Sequence, residues 1–61
     1  MSINYHRALH LAHKEEAPYP LRDLLRQALD LVDEGIQPDA ELVDRIRCLS
    51  IEYKFLIPSQ N

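Results

Sequence analysis

The sequence predicts an all-α fold built around an antiparallel helical hairpin, with a shorter helix in front of it. Three observations carry that expectation. Apolar residues recur at three- and four-residue steps in two long segments, which places them on one face of a helix. A single glycine, Gly35, separates these two segments. Nowhere does the chain alternate apolar and polar residues as a half-buried strand does.

The first helix is expected over about residues 3–16. Tyr5, Ala8, Leu9 and Ala12 have helical spacing, but half of this face is alanine, so the amphipath is weak. Ala17-Pro18-Tyr19-Pro20 then breaks the helix, because each proline pushes the residue before it towards extended backbone. Residues 17–20 are thus expected to form a linker.

The second helix, about residues 20–34, has the clearest pattern. Pro20 suits a first helical turn, where its missing N–H costs nothing. Leu21, Leu24, Leu25, Ala28, Leu29 and Val32 share one side, with Arg22, Asp23, Arg26, Asp30 and Asp33 opposite. Gly35 stands where a left-handed C-terminal cap belongs.

The third helix, about residues 39–57, opens at Asp39, a good N-cap after Pro38. Leu42, Ile46, Leu49, Tyr53 and Leu56 form a stripe that should face Leu21, Leu25, Ala28 and Val32. Cys48, Ile51 and Phe55 form a second stripe on the other side, at i, i+3 and i+7. An edge helix needs only one apolar face. The second therefore points to a contact with the first helix, through Tyr5, Leu9 and Leu11, or to an interface between chains. Residues 58–61 are expected to fray.

The chain has 61 residues, room for one small domain. A domain of this size is marginal by itself and usually has an additional staple. One cysteine, Cys48, excludes an internal disulfide. Oligomerisation is the staple left, so a homodimer forming a helical bundle is expected. A lone cysteine also fits a reducing cytoplasm better than an oxidising compartment. No apolar run suits a membrane span or a signal peptide, so no membrane partner is expected.

Charge is uneven along the chain. Asp30, Asp33, Glu34, Asp39, Glu41 and Asp44 crowd the hairpin tip, and no Lys or Arg lies between residues 30 and 44. The formal net charge is −3. This acidic tip could dock on a basic partner surface, including one that otherwise binds nucleic acid. The plainer reading is a solvated loop that keeps the chain in solution. Direct nucleic-acid binding is not expected. A helix-turn-helix reading would make Asp39-Ala40-Glu41 the leading turn of the recognition helix, the wrong sign for phosphates.

His6, His10 and His13 lie at i, i+4 and i+7 and span only ~60° of helical arc. Such a stripe can chelate zinc, nickel or copper. The ordinary reading is a set of boundary histidines with no resident metal. Enzymatic chemistry is not expected, because one glycine cannot build a phosphate-cradling loop. Cys48 reads as a small interface hydrophobe rather than a nucleophile. The residues therefore point to a protein–protein interaction module, a regulatory adaptor or inhibitor of a larger protein. It would work without a cofactor, through an interface at Cys48, Ile51, Phe55, Tyr5 and Leu9. The alternative is a metal-binding or metal-sensing protein that uses the histidine stripe.

Overall fold

The computed structural model describes residues 2–60, so the chain ends Met1 and Asn61 lie outside the described residues. Among the described residues three helices make up the body: α1 (Tyr5–Lys14), α2 (Tyr19–Asp33) and α3 (Ala40–Glu52). Both α1 and α3 pack on α2, and α2 with α3 forms the expected hairpin. Two short strands, β1 (Ser2–Ile3) and β2 (Ser59–Gln60), form an antiparallel pair.

Local chemistry explains where each helix begins. The Asn4 side chain accepts the Arg7 N–H at 3.1 Å, and the Asp39 side chain accepts the Leu42 N–H at 2.9 Å. Both satisfy donors that a helix start leaves free. α2 has no such side-chain cap. It starts on Tyr19, one residue earlier than expected, with Pro18 in polyproline-like backbone before it and Pro20 in its first turn.

All three helices end in the same way. In α2 the Ile36 N–H reaches back to the Leu31 carbonyl at 2.9 Å and the Gly35 N–H to Val32 at 3.0 Å. In α1, Ala17 donates to Ala12 at 2.8 Å and Glu16 to His13 at 3.2 Å. In α3, Phe55 donates to Ser50 at 2.8 Å and Lys54 to Ile51 at 3.2 Å. These are Schellman motifs, which place the residue after the cap in left-handed backbone. Glycine takes that position once, at Gly35 with φ 78°. Glu16 (φ 55°) and Lys54 (φ 56°) take it in the other two helices.

A side chain in left-handed backbone is strained by about 1–2 kcal/mol. Glycine lacks that strain but has more conformational freedom to lose on folding. Glu16→Gly and Lys54→Gly are therefore each expected to stabilise the fold by roughly 0.5–1 kcal/mol. Gly35→Ala should destabilise it by about 1 kcal/mol through backbone strain alone, since an added Cβ meets nothing within 4 Å. Thermal melts of the three variants check these signs.

The third motif corrects the expected end of α3. The helix stops at Glu52, not near residue 57, so the assumed angular positions of Phe55 and Leu56 do not apply. The reversal at Lys54 turns Phe55 inward, to 7% exposure, and leaves Leu56 88% exposed. Pro58 contributes, because it disfavours helical backbone at Ile57 and lacks the N–H that a continuing helix needs.

The expected fraying of residues 58–61 does not hold for residues 58–60, and Asn61 lies outside the described residues. Ser2 pairs with Gln60 and Ile3 with Ser59, and the Asn4 N–H donates to the Pro58 carbonyl at 3.0 Å. The core takes Ile3 from β1 and Phe55 from the segment before β2. Ile3, Tyr5, Ala8, Ala12, Ala17, Leu21, Leu25, Ala28, Ile46 and Phe55 form one buried cluster. Within it the alanines of α1 are an asset: Ala8 and Ala12 are fully buried, where small side chains let two helices approach closely. Ser50 is also buried, and its hydroxyl donates to the Ile46 carbonyl at 2.7 Å.

Candidate functional site

The apolar arc of α2 is wider than the core can cover. Leu21, Leu25 and Ala28 point inward and are fully buried, while Leu24 lies half-buried at the edge. On α3, Ile46 is fully buried and Leu49 is half-buried in the same way. An open groove of about 870 Å³ runs between these edges. Its apolar lining is Tyr19, Pro20 and Leu24 from α2 with Cys48 and Leu49 from α3. Tyr19 is 69% exposed, and Cys48 is an exposed free thiol.

Charged side chains rim this floor: Asp23 on α2, and Glu41, Asp44 and Arg45 on α3. Arg45 donates to Glu41 at 3.0 Å, so the only cation of the rim is already paired. Asp23 accepts a hydrogen bond from the neutral Gln27 amide at 2.9 Å. Neither Asp23 nor Asp44 has a cationic partner among the described residues.

A smaller groove of about 490 Å³ lies where α1 begins and α2 ends. Tyr5, His6, Val32, Ile36, Val43 and Arg47 are among its lining residues. Burial pushes the Tyr5 phenol above its ordinary value of 10.0, and the nearby Arg47 charge partly opposes this. A raised folded-state value favours the neutral phenol, so its contribution to stability is complete below pH 10.0 and is lost as pH rises through the folded value. Tyr5→Phe is expected to flatten that alkaline loss, which denaturant titrations of both proteins above pH 10.0 would show.

The interface expected from the sequence is not assembled as one surface. Tyr5 (8% exposed) and Phe55 (7%) belong to the core, and Leu9 is half-buried against it. Of that set only Cys48 and Ile51 are exposed, the latter at 79%. The stripe fails because its last member lies beyond the helix.

The six acidic residues of the hairpin tip are all exposed, but most are engaged nearby. Asp30 lies 3.5 Å from Arg26, and Asp33 lies 3.1 Å from His6 Nε2. Glu41 pairs with Arg45, and Asp39 caps α3. That leaves Glu34 and Asp44 without such a partner among the described residues, and since an N–H or imidazole contact does not neutralise Asp39 or Asp33, the tip stays acidic.

His6, His10 and His13 are exposed on α1, with His6 turned to Asp33. Among the described residues, no group of three or more His, Cys, Asp or Glu side chains is arranged to hold a metal ion. No described helix is long and apolar enough to cross a membrane.

Tyr19, Pro20, Asp23 and Leu24 were not among the expected site residues. Tyr19 sits between two prolines and reads as linker, and Leu24 reads as one more core leucine. No pattern in residue order marks them, because α2 has two neighbours, α1 and α3, and only their packing shows which flank stays open. Comparison of the chain with known protein families, with curated proteins and with solved structures finds no match.

Proposed function

We propose that this chain is a small helical protein–protein interaction module, an adaptor or inhibitor that acts by occupying a surface of a larger protein. The observation behind this reading is the groove between α2 and α3, with its apolar floor, its exposed tyrosine and its charged rim. Apolar centres with polar rims are the usual anatomy of protein interfaces, and tyrosine is enriched among their energetic anchors. The reading assigns the chain a binding role and no catalytic step. An exposed free thiol at Cys48 fits a reducing compartment such as the cytoplasm.

A homodimer was expected on two grounds, the small core that lacks another staple and the second apolar stripe of α3. With Tyr5 and Phe55 buried inside one chain, the stripe no longer supports a second copy, and only the small core still does. The interface of the proposed module is the groove instead.

The test is site-specific crosslinking. A photoreactive residue in place of exposed Gln27, one turn from Asp23, would be irradiated in extracts of the source cells. Adducts should form, and unlabelled wild-type chain should compete them away while a folded Tyr19→Asp variant should not. Equal competition by both chains would overturn the reading, as would irradiation without any adduct.

A further inference from the structure

The chemistry of the groove narrows the partner beyond a generic protein surface. Both walls are α-helices, and along most of the groove their backbone N–H and C=O groups are bonded within the helix, the exceptions being the first turns at Tyr19 and Glu41. The groove therefore offers few backbone partners. An extended peptide laid on it would press unpaired N–H and C=O groups against an apolar floor, which is unfavourable. A helical occupant satisfies its own backbone and presents only side chains.

The size of the site agrees with this. Glu41, Asp44, Arg45 and Cys48 lie at i, i+3, i+4 and i+7 along α3. They line one wall over about two helical turns, roughly 10 Å.

The sign of the rim selects among helices. It has three carboxylates against one guanidinium, and that guanidinium is paired with Glu41. Asp23 and Asp44 are thus available to an incoming cation. A second copy of this chain docked groove to groove would set two acidic rims face to face, which disfavours association.

We infer that the groove between α2 and α3 takes an amphipathic helix of another protein, with apolar side chains on the floor and Lys or Arg at its flanks. This rests on the interaction-module reading above and specifies its partner. Its energetic centre is apolar contact with Tyr19, Leu24 and Leu49, and Asp23 and Asp44 set orientation and choice of partner.

Two synthetic helical peptides test it. They share one leucine stripe over about three turns and differ only in flanking Lys or Glu. Each is titrated into the full chain while backbone nitrogen–proton correlation spectra are recorded. The Lys peptide should shift Tyr19, Leu24, Asp44, Cys48 and Leu49 and should weaken on adding salt. It should bind about tenfold more tightly than the Glu peptide. Asp44→Asn should weaken it severalfold, and the double variant Asp23→Lys with Asp44→Lys should reverse the preference.

Equal affinity for the two peptides, or shifts centred on Val32, Ile36 and Arg47, would overturn the inference. So would groove signals that change on dilution of the free chain, because a second copy would then be the occupant. Failure here, with Tyr19-dependent crosslinking intact, would remove the basic-helix partner and leave the interaction module standing. Loss of the crosslinking would remove the module itself.

Discussion

Leu25→Ala is expected to destabilise the fold by about 2–5 kcal/mol, enough to unfold most molecules at room temperature. Leu25 is fully buried on the central helix, among side chains from all parts of the chain. Removing its branched end forfeits the apolar transfer energy and leaves a cavity that the flanking helices fill only in part. A 61-residue chain has little stability to spare. Leu49→Ala should cost clearly less, because Leu49 is half-buried at the rim of the groove. Urea denaturation followed by circular dichroism measures both. Equal losses would mean that the groove floor is part of the core.

Phe55→Ala is expected to cost about 3–5 kcal/mol, whereas Ile51→Glu should stay within about 0.5 kcal/mol of wild type. Treated as neighbours on one helical stripe, the two residues would behave alike. In the fold they are opposites: Ile51 is 79% exposed on the last turn of α3, and Phe55 is 7% exposed beyond the reversal at Lys54. Phe55 belongs to the cluster that also includes Ile3 from the strand pair and Ile46 from α3. Its loss should lower helicity and melting temperature to the same extent at every protein concentration. A loss that recovers at high concentration would mean that Phe55 packs between chains.

Much of the fold can be read from residue order, and the parts that cannot have identifiable causes. α2 is legible because its leucines keep strict helical spacing and Gly35 marks its end. The start of α3 is legible because Asp39 is a strong cap, and the Asp39 side chain does bond the Leu42 N–H.

The end of α3 is hidden because lysine, not glycine, occupies the left-handed position, and apolar residues continue past it in a pattern that mimics another turn. The end of α1 is obscured in the same way by Glu16. Strands of two residues are too short to show alternation, so the pairing of the chain ends leaves no periodic trace. The alanines of α1 read as weakness, yet full burial of Ala8 and Ala12 makes that helix part of the core.

The candidate site was legible only at Cys48 and at Glu41 and Asp44 of the acidic tip. Tyr19 and Leu24 required knowing which side of α2 remains open after α1 and α3 have packed.

The most direct test of the central claim, a self-contained core with an open α2/α3 groove, is the alkylation rate of the Cys48 thiol in the native protein. Cys48 is the only cysteine, so the reaction reports on the groove alone. The structure leads to rapid modification of the folded chain, at a rate that does not change between dilute and concentrated solution. Protection that grows with protein concentration would show a second copy seated in the groove. Protection at every concentration would show that the groove is closed, and either result would contradict the account.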